Sequence, residues 1–144
     1  MDATFHGAEA EASLALHKSS KGLLQMDFLA DTVRATIDEG GNIPRIPPYH
    51  VGMGLHWDGN IDGGFMWRYS ASQNDVAAAE TETASFVSLD AHLGWRPLIS
   101  HPGFELAVIG HNLTNTVQRN AVALNKDEVI LPGRDIRLVV RATF

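Results

Sequence analysis

The chain has 144 residues, a hydrophobic share of 44%, a formal net charge of −6 and no cysteine. That length suffices for one domain with a core, while the acidic balance excludes a basic nucleic-acid footprint and the missing thiols exclude a disulfide scaffold or a cysteine metal site. No apolar run approaches the ~20 residues of a membrane helix, but a membrane strand escapes that test because its apolar residues alternate with polar ones.

Period-two alternation dominates the chain, broken by Gly, Pro, Asn and Asp into seven segments. The first runs from about Thr4 to Leu16, with Ala8, Ala10, Ala12, Leu14 and Leu16 on one face and Gly7, Glu9, Glu11 and Ser13 on the other. Lys18 to Gly22 reads as a polar turn. The second runs from about Leu23 to Ile37, where Leu24, Met26, Phe28 and Ala30 alternate with Gln25, Asp27 and Asp31; Leu29 and Val33 interrupt the polar face. Asp38 to Pro48, with Gly40-Gly41-Asn42 and three prolines, is a loop. The third strand, about Tyr49 to Asp58, opposes Val51, Met53, Leu55 and Trp57 to His50, Gly52, Gly54 and His56. Asp58-Gly59-Asn60 is a tight hairpin turn, since these residues tolerate positive φ.

The fourth strand, about Ile61 to Gln73, sets Phe65, Trp67 and Tyr69 against Gly64, Arg68 and Ser70. A polar loop follows near Asn74 to Thr83. The fifth strand, about Ala84 to Arg96, sets Val87, Leu89, Ala91, Leu93 and Trp95 against Ser88, Asp90, His92 and Gly94. Pro97 to Pro102 is a short turn and Gly103 to His111 the sixth strand. A long loop reaches Pro132, and Gly133 to Phe144 forms the last strand, with Ile136, Leu138, Val140, Ala142 and Phe144 opposing Arg137, Val139, Arg141 and Thr143.

Short connections near residues 18, 59 and 99 thus alternate with long ones near 43, 78 and 122. Outer-membrane barrels have this asymmetry of short periplasmic turns and long external loops. Several strands reach the ~9–11 residues a tilted membrane strand needs, beyond the ~5–6 usual in soluble proteins. Trp57 and Trp95 stand beside short turns and Tyr49 at the opposite end, as aromatic girdles at two interfaces require. These features predict an all-β fold: an antiparallel up-and-down meander of about seven long strands, part of a transmembrane β-barrel.

Four segments carry a family resemblance. Gly40-Gly41-Asn42-Ile43-Pro44-Arg45-Ile46-Pro47-Pro48 resembles a segment common in TonB-dependent receptors, as does Glu80-Thr81-Glu82-Thr83 followed by Phe86-Val87-Ser88-Leu89-Asp90. Gly110-His111-Asn112-Leu113-Thr114-Asn115 resembles the end of their penultimate strand, and Leu131-Pro132-Gly133-Arg134-Asp135-Ile136-Arg137-Leu138 the start of their final one. Order and spacing match across nearly the whole chain, which then ends at Phe144 as those receptors do. The zinc-importing branch is the most similar, in its Pro-Arg-Ile-Pro-Pro and Pro-Gly-Arg segments.

The resemblance implies that residues 1–144 are the C-terminal segment of a receptor barrel in the bacterial outer membrane, which imports a metal ion or metal chelate of the zinc or iron-siderophore type with energy from the inner membrane. The whole barrel would have about 22 strands around an N-terminal plug. The plug, the earlier strands and the box that binds TonB lie outside these residues. Met1-Asp2-Ala3-Thr4-Phe5 has no basic-then-apolar leader, so outer-membrane residence implies a longer precursor. The implied partners are outer-membrane lipid, the receptor's own plug and remaining strands, TonB through the N-terminal part, and the barrel-assembly machinery, which would read Leu138, Val140, Ala142 and Phe144 as a terminal signal. Asp38–Pro48, Asn74–Thr83 and Asn112–Pro132 become external loops, the first stiffened by Pro44, Pro47 and Pro48.

Of the histidines at 6, 17, 50, 56, 92, 101 and 111, four fall on the inferred lumen face: His50, His56, His92 and His111, with Asp58 and Asp90 beside them. Imidazole and carboxylate together suit zinc, and these four are the candidate metal ligands. No His-x-His or His-Glu-x-x-His spacing occurs, which favours separate, solvated side chains over a tight site. Arg68, Arg137 and Arg141 point to the same face, where Glu9, Glu11, Asp27, Asp31, Asp90 or Glu105 are the expected cross-strand partners. Asn112-Leu113-Thr114 matches the glycosylation pattern by accident in a bacterial protein. No cofactor is expected. The chain is not expected to be an enzyme, since no nucleophile, general-base pair or metal motif stands out. The competing reading is a soluble all-β ligand-binding module, in which Phe65, Trp67, Tyr69, Val87, Leu89, Leu93 and Trp95 would be buried.

Overall fold

The structure is a computed structural model that describes residues 2–96 and 103–143. Its strands are β1 (Ala3–Ser19), β2 (Gly22–Ile37), β3 (His50–Gly59), β4 (Ile61–Ser70), β5 (Phe86–Trp95), β6 (Phe104–His111) and β7 (Asp135–Ala142). They form one sheet in the order β1-β2-β3-β4-β5-β6-β7. Each strand runs antiparallel to the next in the chain. The all-β meander read from the alternation is the fold observed. The expected turn at Pro97 to Pro102 and the terminal Phe144 lie outside the described residues.

Residues directly opposed across antiparallel strands share a face, so the register sorts the side chains. One face is apolar in continuous rows. Ala12, Phe28, Met53, Trp67 and Leu89 form one, and Leu14, Met26, Leu55, Phe65 and Ala91 another. A third joins Leu24, Trp57, Gly63, Leu93, Val108 and Leu138. No second layer covers these rows among the described residues: Phe65 is 41% exposed, Leu93 59% and Leu138 67%. Among the described residues only Ala35, Ala71 and Ala121 are buried hydrophobics. An interior core of the soluble kind is therefore missing from the described residues, and the main-chain ladder rather than a packed interior holds the strands together.

Aromatic rings edge both ends of the apolar face. At the short-turn end Trp57 lies against Gly22 and Gly59, and Trp95 meets Phe104 edge-on with centroids 6.4 Å apart. At the long-loop end Tyr49 and Tyr69 are 5.9 Å apart.

The other face is mainly polar, and the two residues that interrupt its pattern in β2 have a packing reason. Leu29 is opposed to Gly52, and Val33 to Gly7. A Cβ at Gly52 would stand 2.9 Å from the Leu29 side chain. The glycines leave the room that these apolar groups fill. Two local expectations are corrected. The first strand runs on to Ser19, because the register shifts between Ala15 and His17; Leu16 is the extra residue of this bulge, and the turn shrinks to Ser20-Lys21. The fourth strand stops at Ser70 rather than Gln73, and Gln73 instead makes a separate bridge to Thr83.

Candidate functional site

The polar face carries a belt of charge near the short-turn end. Asp62 of β4 binds Arg96 at 3.0 Å, Arg96 approaches Glu105 of β6 at 3.7 Å, and Glu105 binds Arg141 of β7 at 2.8 Å. Nearer the long loops, Arg68 binds Asp90 at 2.9 Å. Thus Asp90 and Glu105 are the partners of Arg68 and Arg141, as the alternation allows. Arg137 departs from the expected set, since it pairs along its own strand with Asp135.

The four candidate histidines separate into three places. His50 Nδ1 is 2.8 Å from Asp31 on β2. His111 Nδ1 lies 3.8 Å from Asp90. His56 and His92 come together, with ring centroids 5.2 Å apart and planes tilted by 30°. Asp62, rather than Asp58, is the carboxylate nearest this pair, 3.7 Å from His92 Nε2. Among the described residues no group of three or more His, Asp or Glu side chains converges as a metal site. On β7, Leu138, Val140 and Ala142 share the apolar face, opposite Val108, Leu106 and Phe104.

The long connections, residues 38–49, 71–85 and 112–134, leave the other end of the sheet and are tied to one another. Arg45 is the hub of the first. Its amide donates to both carboxylate oxygens of Glu80 at 3.2 Å, and its Nε donates to the Val122 carbonyl at 2.9 Å. One residue thereby touches all three connections. Its φ is 65°, a left-handed conformation that costs a side-chain-bearing residue about 1–3 kcal/mol and survives where its surroundings hold it. Lys126 Nζ donates to Glu80 at 2.9 Å and to the Ala121 carbonyl at 3.4 Å. The Lys126 and Glu80 side chains are 4% and 12% exposed. Thr81 donates to Asp127 at 2.7 Å, Asn42 to the Val76 carbonyl at 3.1 Å, and Gln73 to the Ile46 carbonyl. Burial works against the charge of Glu80, but the bonds from Lys126, the Arg45 amide and the Ala77 amide outweigh it and hold the carboxyl below its ordinary value. A hollow of about 270 Å³ opens beside this junction, lined in part by Pro44, Arg45, Ala79, Glu80, Leu124 and Lys126.

A second knot closes the third connection. Asn112 has φ 46°, a conformation asparagine tolerates. Its side-chain nitrogen donates to the carbonyls of Thr116 at 3.0 Å and Pro132 at 3.3 Å. Its side-chain oxygen accepts from the Thr116 amide at 3.1 Å, and its own amide donates to Asp90 at 2.9 Å. Asn115 Oδ1 accepts from the Arg134 amide at 3.1 Å. The Asn-Leu-Thr-Asn and Pro-Gly-Arg segments are therefore two halves of one closure. The Asn112 amide is buried and engaged, consistent with an accidental glycosylation match.

Sequence reading did not single out Lys126, Asp62 or Arg96, and it treated Arg45 and Glu80 only as parts of motifs. A lysine between Asn125 and Asp127 was the available signal for the first; the others depend on register.

No family model matches the sequence, and no curated protein matches it. Among solved structures the fold is similar to that of the copper transporter OprC, with a TM-score of 0.79 at 20% identity. The match covers 99% of this chain and 24% of that one. The likeness is one of fold, and it shows that this meander forms a quarter of a much larger chain in that protein.

Proposed function

We propose that the chain is the C-terminal wall segment of an outer-membrane β-barrel of TonB-dependent-receptor type, which takes up a metal ion or metal chelate. The observation that carries this reading is the single sheet with an exposed, unbroken apolar face and aromatic rings at both edges. Lipid satisfies such a face, and water does not. The soluble module is disfavoured by the same side chains, since Phe65, Leu93 and Trp95 would be its core and are exposed.

In this reading the belt of ion pairs faces the lumen, the tied loops face the outside, and the short turns face the periplasm. The open edges of β1 and β7 continue into the remaining strands of the barrel, which removes their unpaired hydrogen-bonding groups. Leu138, Val140, Ala142 and Phe144 serve as the signal for the assembly machinery. The plug and the TonB-binding box belong to the N-terminal part of the full polypeptide. The fold likeness to a copper transporter supports a metal cargo.

The test is made on the full-length polypeptide in its host. It is expected in the outer-membrane fraction, resistant to alkaline extraction, and its deletion should lower metal accumulation under metal limitation. Loss of TonB should lower accumulation equally. Recovery in a soluble fraction would refute the membrane assignment, and accumulation indifferent to TonB would refute the energy coupling.

A further inference from the structure

Two imidazoles from strands that are not neighbours meet over a glycine. His56 of β3 and His92 of β5 are both opposed to Gly64 of β4. Adjacent strands lie ~4.8 Å apart, so the two backbones are separated by about twice that. With no side chain between them, the rings lean together to 5.2 Å. A Cβ at Gly64 would stand 3.1 Å from His56 Cα and 3.2 Å from His56 Nδ1. Asp62, 11% exposed and held by Arg96, stands 3.7 Å from His92 Nε2. A hollow of about 270 Å³ opens over the pair and is lined in part by Asp27, His56, Met66, Asp90, His92 and His111.

We propose that His56 and His92 together bind a late first-row divalent cation, of the zinc or copper kind, beside the negative charge of Asp62. Neutral imidazole is the preferred ligand of such ions, whereas calcium and magnesium prefer a cage of oxygens. A ligating histidine commonly gives its second ring nitrogen to a carboxylate, which fixes the ring. Asp62, 3.7 Å from Nε2, is beyond hydrogen-bond reach and sets only a negative charge beside that edge of the ring. His50 also has a carboxylate at one ring nitrogen, Asp31 at 2.8 Å from Nδ1, but it stands apart from the paired rings and so serves as the control. No third His or carboxylate converges among the described residues, so water or a co-transported ligand completes the coordination. Such a site releases its ion readily. A station on a transport path must bind well enough to admit the ion and weakly enough to let it leave. The role as a station rests on the uptake reading above; the binding itself does not.

The experiment is calorimetric titration of the full-length polypeptide in detergent with Zn2+. Wild type is compared with His56→Ala, His92→Ala, the size-preserving His56→Gln and His92→Gln, and His50→Ala as control, each checked for an unchanged sheet spectrum. Each change at 56 or 92 removes one of the two protein ligands and is expected to abolish or sharply weaken one zinc equivalent, with no change in His50→Ala. Unaltered isotherms in the 56 and 92 variants, equal loss in His50→Ala, or equally tight Ca2+ binding would overturn the site. Membrane fractionation of the same protein separates the two readings. A zinc equivalent lost by the variants of a soluble protein leaves the site standing and refutes uptake. An unaltered isotherm in a membrane protein refutes the site alone.

Discussion

Glu80→Ala strands a buried charge. Lys126 would keep only the Ala121 carbonyl at 3.4 Å, and the amides of Arg45 and Ala77 would lose their acceptor. Breaking a buried pair by removing one member costs about 3–5 kcal/mol. The hollow beside the pair admits water, so the lower end applies, about 3 kcal/mol. At 1.4 kcal/mol per tenfold, the tied state of the loops becomes about 100-fold less favoured. Amide hydrogen exchange at Gln73, Thr83 and Leu131, whose bonds to carbonyls within these connections do not use Glu80, should therefore speed up by about that factor, while amides in the middle of β3 and β4 keep their rates. Adding Lys126→Met should restore much of the protection at these amides, because no charge is then stranded. A rise of only about threefold (~0.6 kcal/mol), or a double variant no better than the single, would refute the reasoning.

The same carboxyl makes the loop junction sensitive to acid. Its folded value lies below the ordinary 4.5, so its contribution is complete above 4.5 and is lost as the pH falls through the lower folded value. Exchange at Arg45 and Ala77, corrected for the intrinsic rate, should be flat from about pH 7 to about pH 5 and rise below that. Leu89→Arg, in the middle of the apolar face opposite Trp67, should cost about 2–4 kcal/mol in lipid, read by urea unfolding in vesicles; the exposed Arg141→Gln should cost less than about 1 kcal/mol. In single-tryptophan variants of the full protein, Trp67 should be quenched most by bromine deep in the acyl chains, and Trp57 and Trp95 by bromine near the headgroups. Equal depths for all three would contradict the orientation of the sheet.

Alternation made the faces legible. In β3, Val51, Met53, Leu55 and Trp57 lie opposite His50, Gly52, Gly54 and His56 as the pattern says, because a period of two is a purely local property. Register is not local. Leu29 looks like an error in β2 until Gly52 is known to be its neighbour, and Leu16 gives no sign that it is the extra residue of a bulge. The candidate site follows the same division. Alternation sets the four histidines on one face, but which two meet depends on strand order and on Gly64 between them. The loop junction was least legible, since Arg45 reaches Glu80 across 35 residues and Lys126 reaches it across 46.

That junction has a practical bearing on where the protein can be altered. Long surface connections are ordinarily the places that accept an inserted tag or epitope. Here residues 38–49, 71–85 and 112–134 behave as one clasp, and lengthening any of them near Arg45, Glu80 or Lys126 disturbs the other two. Substitutions in one of these segments should thus be tolerated or rejected according to what the other two carry, so that the three evolve as a set.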